Sequence, residues 1–221
     1  MMATMLTQTN GPDDTALPAR PTRGPGRPVG DHEEKRAELL AAATKVVAEH
    51  GFAKTSLRKV AERAGYTTGA VTYYFANKGD LVLALAESRF DRYDKLLDSV
   101  APEADIRTLL QRWLEMSVGE PEFSIVMSQL LANLQFDAKL KDTMVRRYAD
   151  YRARFAEIVR EGQSRGTIRD DIPATVLADQ IGAMGDGFAV VTPLELQDFG
   201  PDKIDEILDG VIRLIAPVGN G

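Results

Sequence analysis

Residues 55–81 read TSLRKVAERAGYTTGAVTYYFANKGDL, which is two short helical patterns on either side of Gly65. Val60, Ala61 and Ala64 before it, and Ala70 and Val71 after it, are small or branched apolar residues that let two helices cross closely. Gly65 suits a left-handed turn position between helices near 56–64 and 68–74. A longer pattern precedes them, opening at Asp31 with Glu34 in a capping-box-like arrangement, continuing through Leu40, Ala43 and Val47 on one face, and stopping at Gly51. One long helix followed by two short ones joined at a glycine is the order of a helix-turn-helix within a three-helix domain.

The same stretch carries the chemistry of DNA binding. Thr55 and Thr67 are expected at helix N-caps, where a hydroxyl and free backbone N–H groups meet a phosphate oxygen. Thr68, Gly69, Thr72 and Tyr73 are small or polar and suit entry into the major groove. Tyr74 and Lys78 follow as phosphate contacts. Arg58 and Lys59 are minor candidates for the backbone, although with Arg63 they also fit a plain solvated face.

These residues resemble the DNA-binding signature of TetR-type transcriptional regulators: Ala61 to Gly65, Gly69, Tyr74-Phe75, Lys78 and Leu81 match at that family's spacing. The resemblance covers about residues 33–81, and the all-helical remainder fits the family's ligand-binding and dimerisation domain. It implies phosphate contacts from Thr67, Tyr74 and Lys78, and an approach to bases by Thr68, Gly69 and Tyr73. It also implies a homodimeric regulator of double-stranded operator DNA, a repressor released from a palindromic site by a small molecule. Tyr66, where a small aliphatic residue is usual, and Thr72, where a tyrosine often reaches the backbone, depart from the pattern. A threonine at 72 could instead touch a thymine methyl.

Outward from this core the chain is all-α, with about nine helices expected. Residues 1–30 hold five prolines, four glycines and few large apolar side chains, which reads as a disordered arm. Within it Arg23-Gly-Pro-Gly-Arg27-Pro resembles a minor-groove hook, one residue longer than the usual Arg-Gly-Arg-Pro core, and a nonspecific basic tail is the other reading. Residues 31–80 form the DNA-binding domain. Residues 81–221 form the helical domain, with helices near 78–99, 105–118, 122–134, 138–163, 173–191 and 202–216, each placed by glycine, proline and apolar periodicity.

Two of those helices carry wide apolar stripes. Leu177, Ile181 and Phe188 on one, and Leu208, Val211 and Ile215 on the other, are expected at a dimer interface, with burial inside one chain as the competing reading. Two such helices from each subunit make a four-helix bundle, and a palindromic operator needs two recognition helices about 34–36 Å apart. A surplus of aromatic and methionine side chains points to an effector cavity between helices, with Trp113, Met116, Phe123, Met127, Tyr151, Phe155, Met184 and Phe188 as its walls. The nearby carboxylates, Asp186 among them, permit a cationic effector.

Composition narrows what is left. The 221 residues contain no cysteine and two histidines, which removes thiolate metal sites, disulfides and cysteine nucleophiles and leaves little for a metal, so no metal or cofactor is expected. Net charge is −6, but residues 1–80 hold 11 basic against 9 acidic side chains, leaving the acidity to the remainder. No apolar run is long enough for a membrane span, and the protein is expected in the cytoplasm without membrane contact. Serine-hydrolase, phosphate-loop and zincin motifs are absent, so an enzyme is not expected. A helical interaction adaptor without DNA binding is the alternative that the signature from Gly65 to Lys78 argues against.

Overall fold

The computed structural model describes residues 29–103, 105–191, 194 and 200–218. The expected arm, with Arg23 and Arg27, lies outside the described residues up to Pro28. Among the described residues there are nine helices and no strand. Helix α1 spans Val29–Lys54, α2 Leu57–Ala64, α3 Thr68–Tyr74 and α4 Lys78–Val100. Then come α5 Ile106–Gly119, α6 Pro121–Asn133, α7 Ala138–Ser164, α8 Ala174–Val191 and α9 Pro201–Ile215. Asp31, expected to cap the first helix, lies inside it, because α1 begins at Val29.

Helices α1 to α3 close on Leu39, Ala43, Val46, Val47, Val60, Ala61, Val71 and Phe75, all buried. Eight residues cannot hold a helix in water by propensity alone. Helix α2 is therefore held by docking Val60 and Ala61, and burial of one valine contributes about 1.5–3 kcal/mol. The first turns of α4 add Leu81, Val82, Leu85 and Ala86 to this core, and Phe90 and Tyr93 carry it on to Trp113, Phe123 and Leu140. At 23 residues α4 is about 35 Å long, so one rigid element belongs to both ends of the molecule.

Helix α7 is aligned on α4 by arginines facing a row of carboxylates. Arg147 reaches Asp91 at 2.7 Å and Asp94 at 3.0 Å, and Arg154 reaches Asp94 at 2.5 Å and also pairs with Asp98. Arg107 of α5 likewise holds Asp209 of α9 at 2.6 Å. Much of the acidity beyond residue 80 is thus matched locally rather than presented to a partner.

The stripes assigned to a dimer contact turn inward. Leu177, Ile181, Leu208, Val211 and Ile215 are at most 6 % exposed within their own chain, with α8 packed on α7 and α5 and α9 packed on α5. Phe188 is half-buried against the same core. A stripe wide enough for two contacts fills its inner side first, and the steps of three and four residues picked out that side. The apolar residues left outside are Val176, Val190 and Val191 on α8 and Leu214 on α9.

Candidate nucleic-acid interface and ligand cavity

The turn between α2 and α3 is built from three local devices. Ser56 caps α2, its hydroxyl accepting from the Lys59 N–H at 3.3 Å. Gly65 ends α2 at φ 73°, the left-handed region where a β-carbon is costly. Thr67 caps α3 by accepting from the Ala70 N–H at 3.1 Å. The expected cap at Thr55 is corrected by Ser56. Thr55 is 3 % exposed and donates its hydroxyl to the Gly51 carbonyl at 2.9 Å, so it has no surface to offer a phosphate.

Helix α3 anchors itself on buried Val71 and turns Thr68, Gly69, Thr72 and Tyr73 to solvent. Tyr73 is 74 % exposed. The Thr72 hydroxyl is turned back to the Gly69 carbonyl at 2.9 Å, which leaves its methyl as the outward group. Tyr74 is half-buried, its ring 5.2 Å from that of Tyr73 and 4.7 Å from that of His32. His32 joins this aromatic corner from α1. No local pattern connects it to α3, so reading along the chain does not find it. Tyr66 reaches back to α1, its hydroxyl donating to Glu38 at 2.6 Å, which gives the departure from the family pattern a packing role.

Lys78 stands in the first turn of α4, beside the Asn77 cap. Its ammonium donates to the Ala53 carbonyl at 3.1 Å and lies 5.1 Å from the Phe52 ring centre, and partial burial pulls it below the ordinary lysine range. Arg58 pairs with Glu62 at 3.0 Å, and Arg63 pairs with Glu49, as on a solvated face.

A cavity of about 520 Å³ opens among α4, α6, α7 and α8. Phe90 and Tyr93, Phe123, Ser124, Met127 and Ser128, Met144, Tyr148 and Arg152, and Asp186 are among its walls. The volume falls in the range of small-molecule sites, roughly 300–1,000 Å³. Leu131, Val145 and Val190 stay exposed at its open side.

Of the side chains expected to wall it, Phe123 and Met127 do. Trp113, Met116, Tyr151, Phe155 and Phe188 pack into the core instead, while Met184 also borders a separate, more open space of about 580 Å³ beside Leu214 and Ile215 of α9. Trp113, Tyr151 and Phe155 surround a gap of about 20 Å³, and Met184 and Phe188 one of about 10 Å³, scarcely room for a water. Met116 packs on the core from α5. An aromatic stripe at helical spacing satisfies itself when its rings meet, as Tyr151 and Phe155 do at 6.0 Å. The cavity lies where smaller polar residues, Ser124 and Ser128, interrupt such packing.

Residues 39–85 match the model of bacterial regulatory proteins, tetR family, and residues 97–209 match a tetracyclin repressor-like C-terminal domain. The chain is 28% identical over 184 residues to the HTH-type transcriptional repressor AcnR of Corynebacterium glutamicum, covering 80% of this chain and 92% of that protein. It is 29% identical over 168 residues to the HTH-type transcriptional repressor SCO4008 of Streptomyces coelicolor, covering 74% and 82%. The fold is also that of SmeT in its triclosan complex, with TM-score 0.68 and 22% identity, covering 84% of this chain and 93% of that one.

Proposed function

Because the chain belongs to the tetR family of bacterial regulatory proteins, we propose that it is a homodimeric repressor whose operator is read by α3 and released when a small molecule enters the cavity among α4, α6, α7 and α8. The observation that carries this reading is the position of α4. Its first turn holds Lys78 beside the recognition helix, and its middle supplies Phe90 and Tyr93 to the cavity wall.

Thr68, Gly69, Thr72 and Tyr73 are the base-facing candidates because they are exposed on one short helix. Thr67, Tyr74 and Lys78 are the phosphate-facing ones. A ligand shifts only an equilibrium between states that it binds unequally, so release requires a bound state with a different spacing of the two recognition helices. The second copy is expected on the outer faces of α8 and α9, where Val176, Val190, Val191 and Leu214 are exposed. A regulator of genomic DNA works in the cytoplasm, and no described helix is long and apolar enough to cross a membrane.

The deciding experiment is selection of bound fragments from genomic DNA by the full chain, followed by a salt-titrated mobility shift on a recovered fragment and on random DNA. Enrichment of a palindrome bound far more tightly than random sequence supports the reading. Equal affinity for both contradicts it.

A further inference from the structure

Two charged side chains wall the cavity, and they are not equivalent. Arg152 is held by Asp179, with its Nε 2.8 Å from one carboxylate oxygen and its terminal nitrogen 3.0 Å from the other, so its charge is matched on the spot. Asp186 makes no ion pair among the described residues. Its partner is a neutral group, the Tyr148 hydroxyl, which donates to it. Asp186 keeps contact with solvent at the cavity's edge, and its partial withdrawal from water lifts the carboxyl above the ordinary range despite that hydrogen bond.

The surroundings sharpen the asymmetry. Phe90 carries Arg147 over its ring at 5.6 Å and Phe123 carries Arg89 at 4.5 Å, so the aromatic surfaces not already engaged by a guanidinium are those of Tyr93 and Tyr148. Ser124 adds a buried hydroxyl, 3 % exposed and without a hydrogen-bond partner, on the same cavity wall. A neutral molecule filling this space would strip more water from an unpaired carboxylate, and an anion would add repulsion. A cation reverses both penalties and gains the faces of the tyrosine rings.

We propose that the effector is an apolar organic cation, an amine in its ammonium form, whose charge is set against Asp186 between Tyr93 and Tyr148 and whose hydrocarbon body fills the remainder of the cavity. This rests on the reading of the cavity as the effector site.

Three probes of one shape and different charge separate the possibilities in calorimetric titrations of the full chain: 4-phenylbutylamine, 4-phenylbutanol and 4-phenylbutyrate. The amine should bind roughly tenfold or more tighter than the alcohol, the difference that one charge and ring contact makes. Asp186→Asn should erase most of that difference while leaving the alcohol unchanged. Equal or tighter binding of the alcohol or the carboxylate by the unsubstituted chain overturns the proposal, as does an Asp186→Asn chain that keeps the amine's affinity. Ala149→Phe, which fills the cavity from α7, separates the two readings. Abolished binding of an alcohol or carboxylate preferred over the amine leaves the cavity as the site and removes only the cation. Undiminished amine binding in that variant removes the cavity itself, and silence from all three probes counts against both.

Discussion

The Gln129 side chain on α6 accepts a hydrogen bond from the Phe52 backbone N–H at 2.6 Å, across 77 residues of sequence. Its amide nitrogen faces the Val47 carbonyl at 3.4 Å, so one side chain brackets Gly51, where α1 is interrupted at φ 79°. Met127 and Ser128, its neighbours on α6, line the cavity, and Phe52 underlies Lys78. The helix that walls the cavity therefore also holds the chain next to a candidate phosphate contact. Gln129→Ala should leave the Phe52 N–H unpaired at a cost of about 1–3 kcal/mol, read by denaturant unfolding. It should also shrink the factor by which ligand weakens operator binding, a coupling typically worth 1–3 kcal/mol. A variant with lower stability and undiminished coupling would show that the contact is structural only.

Lys78 opens α4 directly after α3, and its ammonium is tied to the Ala53 carbonyl. Lys78→Ala should weaken binding to every DNA sequence alike and reduce the slope of log affinity against log salt by about 1, as loss of one phosphate contact requires. Mobility shifts on operator and random DNA across a salt series measure it. An unchanged slope would confine Lys78 to its contact with Ala53.

Tyr73 and Thr68 project from α3 without supporting the core, so their removal isolates recognition from folding. Tyr73→Ala or Thr68→Ala should cost about 1–3 kcal/mol at one operator position, with random-sequence affinity and melting temperature nearly unchanged. Loss of equal size on operator and random DNA would move both side chains from bases to phosphates.

How much of this is legible without coordinates depends on whether the controlling forces are local. The limits of α3 at Thr68 and Tyr74 follow from a cap hydroxyl and a turn glycine that act on their own neighbours. The cap at Ser56 rather than Thr55 is decided by Thr55 sinking under Gly51, a tertiary contact that no cap preference contains. The cavity is harder still. Trp113 and Phe123 are equally plausible walls by type and spacing, yet the Trp113 ring meets α8 at Gly185, where an added β-carbon would lie 3.9 Å away, while Phe123 borders open space. Which ring finds a neighbour is a property of how helices cross, and periodicity within one helix does not encode it.

Asp186 gives a pH-dependent prediction that needs no ligand. Its carboxyl is raised above the usual value of 3.8 because burial outweighs the hydrogen bond from Tyr148. Tyr93 on α4 and Tyr148, Tyr151 and Arg152 on α7 are the ionisable groups that face it. The folded chain holds this proton more tightly than the unfolded chain does. The associated stability is therefore present below pH 3.8 and lost as pH rises through the folded value. Asp186→Asn should raise the melting temperature at pH 7, and the gain should shrink toward the carboxylate range. Identical melting curves at pH 7 would mean that the solvent contact Asp186 keeps at the cavity's edge offsets its partial burial.

The placement of the second copy is tested by two substitutions on one helix. Val211 is 6 % exposed and Leu214 is 61 % exposed, three residues further along α9, so they address the inner and outer faces separately. Val211→Glu puts an unpaired carboxylate into the chain's own core and should cost several kcal/mol, unfolding or aggregating the protein whatever its oligomeric state. Leu214→Glu leaves the core untouched. If the outer face of α9 with Val190 and Val191 of α8 is where two copies meet, this variant should keep its helical signal and melt cooperatively while sedimenting as a monomer at concentrations where the unsubstituted chain is a dimer. Operator affinity should fall with it, because a palindrome read by one recognition helix loses half of its contacts. An intact dimer in Leu214→Glu, with full operator affinity, would place the subunit contact elsewhere on the helical domain.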